Sequence, residues 1–275
     1  MINADERTIA GFGSEWTRFD QAALSLDERS AIFASYFAIF PWQSLPANAE
    51  GFDLGCGSGR WALLVAPRVR RLHCIDPSDA VEVARRNLAR HPNCVVHRAS
   101  VDTMPIEDAS MDFGYSLGVL HHVPDTEAAV RACVDKLKPG APLLLYLYYA
   151  FDNRPWWFRM LWRVSDSIRR VMSRLPDPVR YGISQCIAAL IYVPLARAAA
   201  LLERCQVDVS SLPLSAYRER SFYTMRTDAL DRFGTRLERR FTRAQIAAMM
   251  ERSGLERIEF SPHAPFWCAV GYRRT

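Results

Sequence analysis

The pattern of apolar and polar positions changes character along the chain. Between residues 50 and 150, short apolar runs alternate with segments of helical period. The runs are Phe52–Leu54, Arg71–Ile75, Cys94–His97, Asp112–Leu117 and Leu143–Tyr148. The intervening segments are Ser58–Ala66, Ser78–Ala89 and Thr126–Leu137. In the last, Ala129, Val130, Cys133, Val134 and Leu137 recur with a 3.6-residue period. Short buried strands separated by helices predict a parallel sheet with helices on both faces. Ahead of this lies an apolar helix, Ala31–Phe40, stopped by Pro41. After position 150 the strands stop. Trp157, Leu161, Val164, Ile168, Val171 and Leu175 are spaced by four and three, a helical stripe widened by Trp156 and Trp162. Arg159, Arg163, Arg170 and Arg174 fall on the other face. Ile187–Leu202 is apolar but carries Pro194 and Arg197, so it reads as a buried or cap helix shorter than a membrane span. The chain ends with a helix from Thr242 as N-cap to Ser253, Gly254 as C-cap, and strands at Glu256–Phe260 and Trp267–Tyr272. Four segments follow: a helical start (1–48), an α/β core (49–150), a helical insertion (151–240) and a closing helix with two strands (241–275).

The first strand runs into Asp53-Leu54-Gly55-Cys56-Gly57-Ser58-Gly59-Arg60. Glycine allows positive φ and close backbone approach to a ligand. A helix starting after the turn would aim its free N–H groups at an anion. A dinucleotide-binding turn, G-x-G-x-x-G, would need a glycine at position 60, where Arg60 stands. The second strand ends in Asp76, followed by Pro77; an acid there suits ribose hydroxyls.

The D-x-G-x-G-x-G pattern resembles motif I of the class I S-adenosylmethionine-dependent methyltransferases, small-molecule type. Three further stretches agree in order and spacing. Leu117-Gly118-Val119-Leu120-His121-His122-Val123-Pro124-Asp125 is similar to their LxHHxPD loop, and Lys136-Leu137-Lys138-Pro139-Gly140 to their LKPGG turn. Ala99 to Pro105 aligns with their adenine-cradling stretch, although Ser100 stands where an Asp is usual. The resemblance covers roughly residues 50 to 150, and the C-terminal strands fit the family's last antiparallel pair. It implies a Rossmann-like seven-stranded sheet, S-adenosyl-L-methionine as cofactor and S-adenosyl-L-homocysteine as product. In that reading Asp53 organises the loop and the methionine amino group, and Gly55, Cys56, Gly57 and Gly59 admit the methionine end. Asp76 and Pro77 meet the ribose. Ser100, Val101 and Asp102 meet the adenine, while Leu117 and Gly118 lie beside the sulfonium. Gly11 to Asp20, with Trp16, is similar to a segment that closes the cofactor mouth in such enzymes; burial of Trp16 and Phe19 against the core would explain it equally well.

Methyl transfer is an in-line displacement from an activated donor, so positioning at about 3–3.5 Å carries much of the catalysis. A hydroxyl acceptor also needs a base, and His121, His122 and His263 are the candidates, with His121 favoured. Tyr149, at the carboxyl edge, and Trp267 are candidate acceptor walls. Tyr217, Arg218, Tyr223 and Arg226 could hydrogen-bond a polar or anionic acceptor, or form a connector whose arginines pair with Glu219 and Asp228. These residues point to O-methylation of a small polar or anionic acceptor, with a lipid or quinone-like acceptor at a membrane and a non-catalytic cofactor binder as alternatives.

The net charge is +5, and residues 152–205 alone hold nine arginines and four acids. An amphipathic helix at 156–175 can lie on a membrane surface or pack as a lid, and the lid is the reading taken. The loop after the fourth strand lacks the Asn/Asp-Pro-Pro-aromatic motif of base-methylating enzymes, which argues against a nucleic-acid substrate. Seven cysteines without paired short spacing predict a reducing, cytoplasmic setting. The N-terminus has early acids and no apolar core, unlike a signal peptide. No metal-ligand spacing is present, so no metal is expected. Oligomeric state is not legible.

Overall fold

The computed structural model describes residues 3–21, 23–209 and 211–275. The chain divides into two compact units: Met1–Gln21, Arg29–Ala150 and Leu237–Thr275 form the first, Ala22–Glu28 and Phe151–Arg236 the second. The end of the insertion, Arg236, falls four residues before the expected position 240. Leu237 to Arg240 belong with the core, because the Arg239 N–H donates to the His121 carbonyl and Phe241 bridges Tyr149.

The first unit is built on a seven-stranded sheet in the order β3-β2-β1-β4-β5-β7-β6. Its strands are β1 (Glu50–Leu54), β2 (Arg71–Asp76), β3 (Cys94–Arg98), β4 (Phe113–Leu117), β5 (Pro142–Tyr146), β6 (Leu255–Phe260) and β7 (Cys268–Arg273). The first five run parallel, and β7 pairs antiparallel with both β5 and β6. The expected Rossmann-like architecture is therefore present. Strand β4 is buried along its whole length, as a central strand covered on both faces must be. On one face Phe52, Ile75, Leu143 and Leu145 pack with helix α5 (Thr126–Lys136) and α10 (Arg243–Arg252). On the other, Phe113, Tyr115 and Leu144 meet Phe33, Phe37 and Trp61. The helices there are α1 (Glu6–Arg18), α2 (Leu26–Tyr36), α3 (Ala62–Val65) and α4 (Ala80–Asn87).

One helix reading needs correction. The helix after the glycine turn spans only the four residues of α3 and passes into a 3₁₀ turn at Ala66–Arg68, where Pro67 removes a donor. So short a helix has little dipole to offer an anion. Helix α4 starts at Ala80, and the Ser78 hydroxyl just ahead of it both donates to Asp76 (2.6 Å) and accepts from the Ala80 N–H (3.2 Å).

The second unit contains α6 (Trp156–Met172), α7 (Asp177–Ile187), α8 (Val193–Arg204) and α9 (Phe222–Gly234). Its core is Met172, Ala188, Tyr192, Ala196, Met225, Ala229 and Phe233. Residues 22–28 join it through Glu28, whose Oε1 accepts from the Ser221 N–H (2.9 Å) and the Thr224 hydroxyl (2.8 Å) at the start of α9. The apolar stretch around Pro194 is helical as expected, but its helix is longer and less buried than expected. A π-turn at Ala188–Tyr192 absorbs the missing N–H, and Asp177–Arg204 is one 28-residue helix, long and apolar enough by length and composition to cross a membrane.

Candidate cofactor and acceptor site

The glycine turn is tied to the end of β2. The Gly55 and Cys56 N–H groups both donate to the Ile75 carbonyl, at 2.7 and 3.0 Å. Gly55, Gly57 and Gly59 have φ of +80°, +52° and +78°, which side chains rarely adopt. A Cβ on Gly57 would sit 3.0 Å from the Trp16 indole. Helix α1, capped by Asp5 on the Thr8 N–H, thus lays Trp16 over the loop. The Arg60 guanidinium stacks at 5.2 Å on Trp16 and 4.3 Å on Trp61, linking the helix to the turn. Further along, the Asn3 N–H is bonded to the Asp102 carboxylate, and Asn3 exchanges two hydrogen bonds with the backbone of Asp125. The N-terminal segment is fastened across the mouth at both ends.

The two acids have distinct settings. Asp53 is buried and accepts from the Tyr115 hydroxyl at 3.0 Å. Burial pushes its carboxyl up to about 8, against the opposing pull of that hydrogen bond. Asp76 accepts from the Gly57 N–H (3.0 Å), the Ser78 N–H (2.9 Å) and the Ser78 hydroxyl (2.6 Å). Burial raises its pKa while these donors hold it down. One carboxylate therefore sets both the turn and the end of β2, with Pro77 half-buried beside it. Cys56 is a buried thiol whose pKa burial drives well up, an inert lining group. Ser100 caps the 3₁₀ turn Val101–Thr103 through Thr103, which leaves the adenine side to the backbone near buried Val101 and to Asp102. Gly118, at φ +79°, follows Leu117 at the end of β4 and donates to the Tyr146 carbonyl at 3.0 Å. These residues surround the carboxyl ends of β1, β2 and β4, where a nucleoside with an amino-acid tail would lie. Close-approach glycines and an acid at each strand end fit S-adenosylmethionine.

The histidines divide. His121 is fully buried, stacked on Tyr148 (3.8 Å between ring centres), and its Nδ1 accepts from the Tyr148 N–H at 3.3 Å. The proton of the neutral ring is then on Nε2, and burial holds its pKa well below 6.5. His121 can donate but has no lone pair left to take a proton, so the preference for it as base is corrected. His122 is arranged the other way. Its Nδ1–H donates to the Leu237 carbonyl at 2.7 Å, which leaves the lone pair on Nε2. Phe12 of α1 packs against it at 4.9 Å. His263 is exposed on the β6–β7 loop, where its N–H donates to the Ser261 hydroxyl.

Antiparallel pairing sets Cys268 opposite Tyr146, which brings the β6–β7 loop to the carboxyl edge. Tyr149 lies 6.4 Å from Trp267 and 5.8 Å from Phe266, so that expected pair is brought together. Tyr146 and Tyr148 form a separate aromatic pair at 5.9 Å, with the Arg240 guanidinium 5.0 Å over Tyr148. Phe266 and Arg240 are not legible in the sequence, the latter because it lies ninety-one residues from Tyr149 and reaches its carbonyl only through tertiary pairing. Tyr217, Arg218, Tyr223 and Arg226 belong to the second unit. There Arg218 pairs with Glu203 (2.7 Å), Arg226 bonds Gln185 and the Tyr181 hydroxyl, and Tyr217 packs on Tyr192. The guanidiniums of Arg218 and Arg226 thus serve cohesion of that unit. Among the described residues no three His, Cys, Asp or Glu gather as metal ligands.

Residues 52–145 match the family described as methyltransferase domain. A ubiquinone biosynthesis O-methyltransferase of Xanthomonas axonopodis pv. citri is 37% identical over 103 residues, 36% of this chain and 43% of that protein. A sterol 4-C-methyltransferase of Caenorhabditis elegans is 28% identical over 107 residues, covering 37% and 32%. The chain thus spans less than half the length of these relatives. Among solved structures, a SAM-dependent methyltransferase from Thermotoga maritima aligns with 96% of this chain and 100% of its own, at a TM-score of 0.51 and 13% identity, a likeness of fold. Motif, geometry and family match coincide on one segment: residues 52–145 match a methyltransferase domain and carry the fold and glycine turn that resemble the class I S-adenosylmethionine-dependent type.

Proposed function

We propose that the protein transfers a methyl group from S-adenosylmethionine to a hydroxyl oxygen of a small, ring-bearing molecule. The observation that carries this reading is the gathering of aromatic side chains at the carboxyl edge in two groups, Tyr146 beside Gly118 with Tyr148, and Tyr149 with Phe266 and Trp267. Flat aromatic surfaces orient a ring by stacking and edge contacts. The anionic part of the expected acceptor loses its support, since Arg218 and Arg226 are engaged within the second unit. The O-methyltransferase among the relatives supports a hydroxyl acceptor.

The cofactor supplies an electrophilic methyl group. The chain's residues do the rest. Trp16 and α1 cover the glycine turn and exclude water, Asp76 holds the turn for the ribose, and Gly118 keeps the strand end open to close approach. His122, oriented by the Leu237 carbonyl, takes the hydroxyl proton on Nε2, while His121 fixes the backbone at Tyr148. We place this activity in the cytoplasm.

The test is mass spectrometry for gain of one methyl group across phenolic, alcoholic and amine acceptors. Methylation of phenols or alcohols, slowed about 10²–10⁴-fold in His122→Ala, is the expected result. Transfer to amines only, with His122→Ala at full rate, would refute the hydroxyl assignment.

A further inference from the structure

The second unit wears its apolar residues on the outside. On α6 the stripe Trp157, Leu161, Val164, Ile168 and Val171 is 39–63% exposed, while Asp166, Arg169 and Met172 face inward. The long helix Asp177–Arg204 repeats the inversion. Ser184, Ala188, Ala196 and Ala199 are buried, whereas Leu190, Ile191, Leu195 and Leu201 are exposed, and only 22% of its most apolar window is buried. Water selects the opposite arrangement, and apolar patches beyond a few hundred Å² mark interaction surfaces. Small residues at helix contacts with large apolar ones outward is how helices pack when lipid surrounds them.

Charge selects the occupant. Residues 151–236 hold fourteen arginines against eight acidic residues, although the whole chain is only +5. Arg163 and Arg170 on α6, with Arg174 in the turn just after it, run along one flank of the exposed stripe, between it and the buried Asp166 face, and Trp156 stands 71% exposed at the helix start. Long arginine stems can reach headgroup phosphates while the stripe enters the acyl boundary, with tryptophan at the polar level. A symmetric pairing of two copies through this stripe would bring the arginine flanks together. We infer that this face docks on an anionic lipid bilayer, with α6 lying in the plane of the interface. The inference is independent of the acceptor's identity.

Co-sedimentation of the full chain with phosphatidylcholine vesicles, with and without phosphatidylglycerol, tests it. Wild type should bind the anionic vesicles and be released by salt. Leu161→Glu/Ile168→Glu and Arg163→Glu/Arg174→Glu, all at exposed positions, should each lose at least about tenfold in partitioning while S-adenosylmethionine affinity stays unchanged. Equal, negligible sedimentation with both vesicles would overturn docking. So would a dimer that Leu161→Glu/Ile168→Glu dissociates without any vesicle binding, which assigns the stripe to a second copy. Protein that resists alkaline carbonate extraction would replace surface docking with insertion of Asp177–Arg204.

Discussion

Helices α5 and α6 have the same signature and opposite fates. In α5, Ala129, Val130, Cys133 and Val134, with Leu137 just beyond, recur at helical period and are all buried against the sheet. In α6 an equally regular stripe is turned outward, and the helix is held instead by Asp166 and Arg169. The Arg169 guanidinium bonds Asp166 at 2.8 Å and the Thr235 carbonyl at 2.8 Å, while Arg170 takes the other carboxylate oxygen. Burial pushes the Asp166 pKa up, but the two guanidiniums outweigh it and hold the carboxyl below its usual range. Periodicity reports that one face of a helix is apolar. It does not report what that face meets. An apolar sheet face demands cover, so α5 had one place to go; α6 could be anchored by a hydrogen-bonded ion pair and leave its apolar face for something else.

The largest effect should come from the anchor of α6. Asp166→Ala leaves the Arg169 guanidinium buried without its carboxylate, and denaturant unfolding of the second unit should lose about 3–5 kcal/mol. A change below 1 kcal/mol would show that the ion pair does not hold the helix. Truncations sharpen the contrast next. Leu137→Ala, in the core beside α5, should cost about 2–5 kcal/mol, whereas Val164→Ala on α6 should stay within about 0.5 kcal/mol. Equal losses would mean that the α6 stripe is buried in solution.

The cofactor side moves the comparison from stability to binding. Gly57→Val combines a φ of +52° with an indole 3.0 Å from its Cβ, and S-adenosylmethionine affinity by calorimetry should fall at least about 100-fold. A folded Gly57→Val protein with unchanged affinity would remove the turn from the site. The last effect is electrostatic and is read as a slope. Asp53 titrates near 8 folded, above its unfolded value, so the folded state binds the extra proton. Its contribution to stability therefore falls as pH rises from about 4 to 8, by at most about 1.4 kcal/mol per unit. Thermal melts between pH 6 and 8 should show that slope in wild type and a flatter one in Asp53→Asn.

The sequence by itself determined the sheet, because strands covered on both faces must be short and apolar and their connecting helices must carry one apolar stripe. It determined the cofactor cradle for a similar reason: Gly55, Gly57 and Gly59 adopt backbone that other residues resist, and Asp53 and Asp76 stand at strand ends, so the chemistry is local in sequence. Tertiary structure decided the rest. The tautomers of His121 and His122 depend on the Tyr148 N–H and the Leu237 carbonyl, which are distant along the chain. The Tyr149–Trp267 pair depends on antiparallel pairing that carries Trp267 to the carboxyl edge. Arg218 and Arg226 looked available because the Glu203 and Tyr181 that hold them lie fifteen and forty-five residues away. The direction of the α6 stripe was invisible for the plainest reason: a helix has two faces, and only the partners it finds decide which one turns inward.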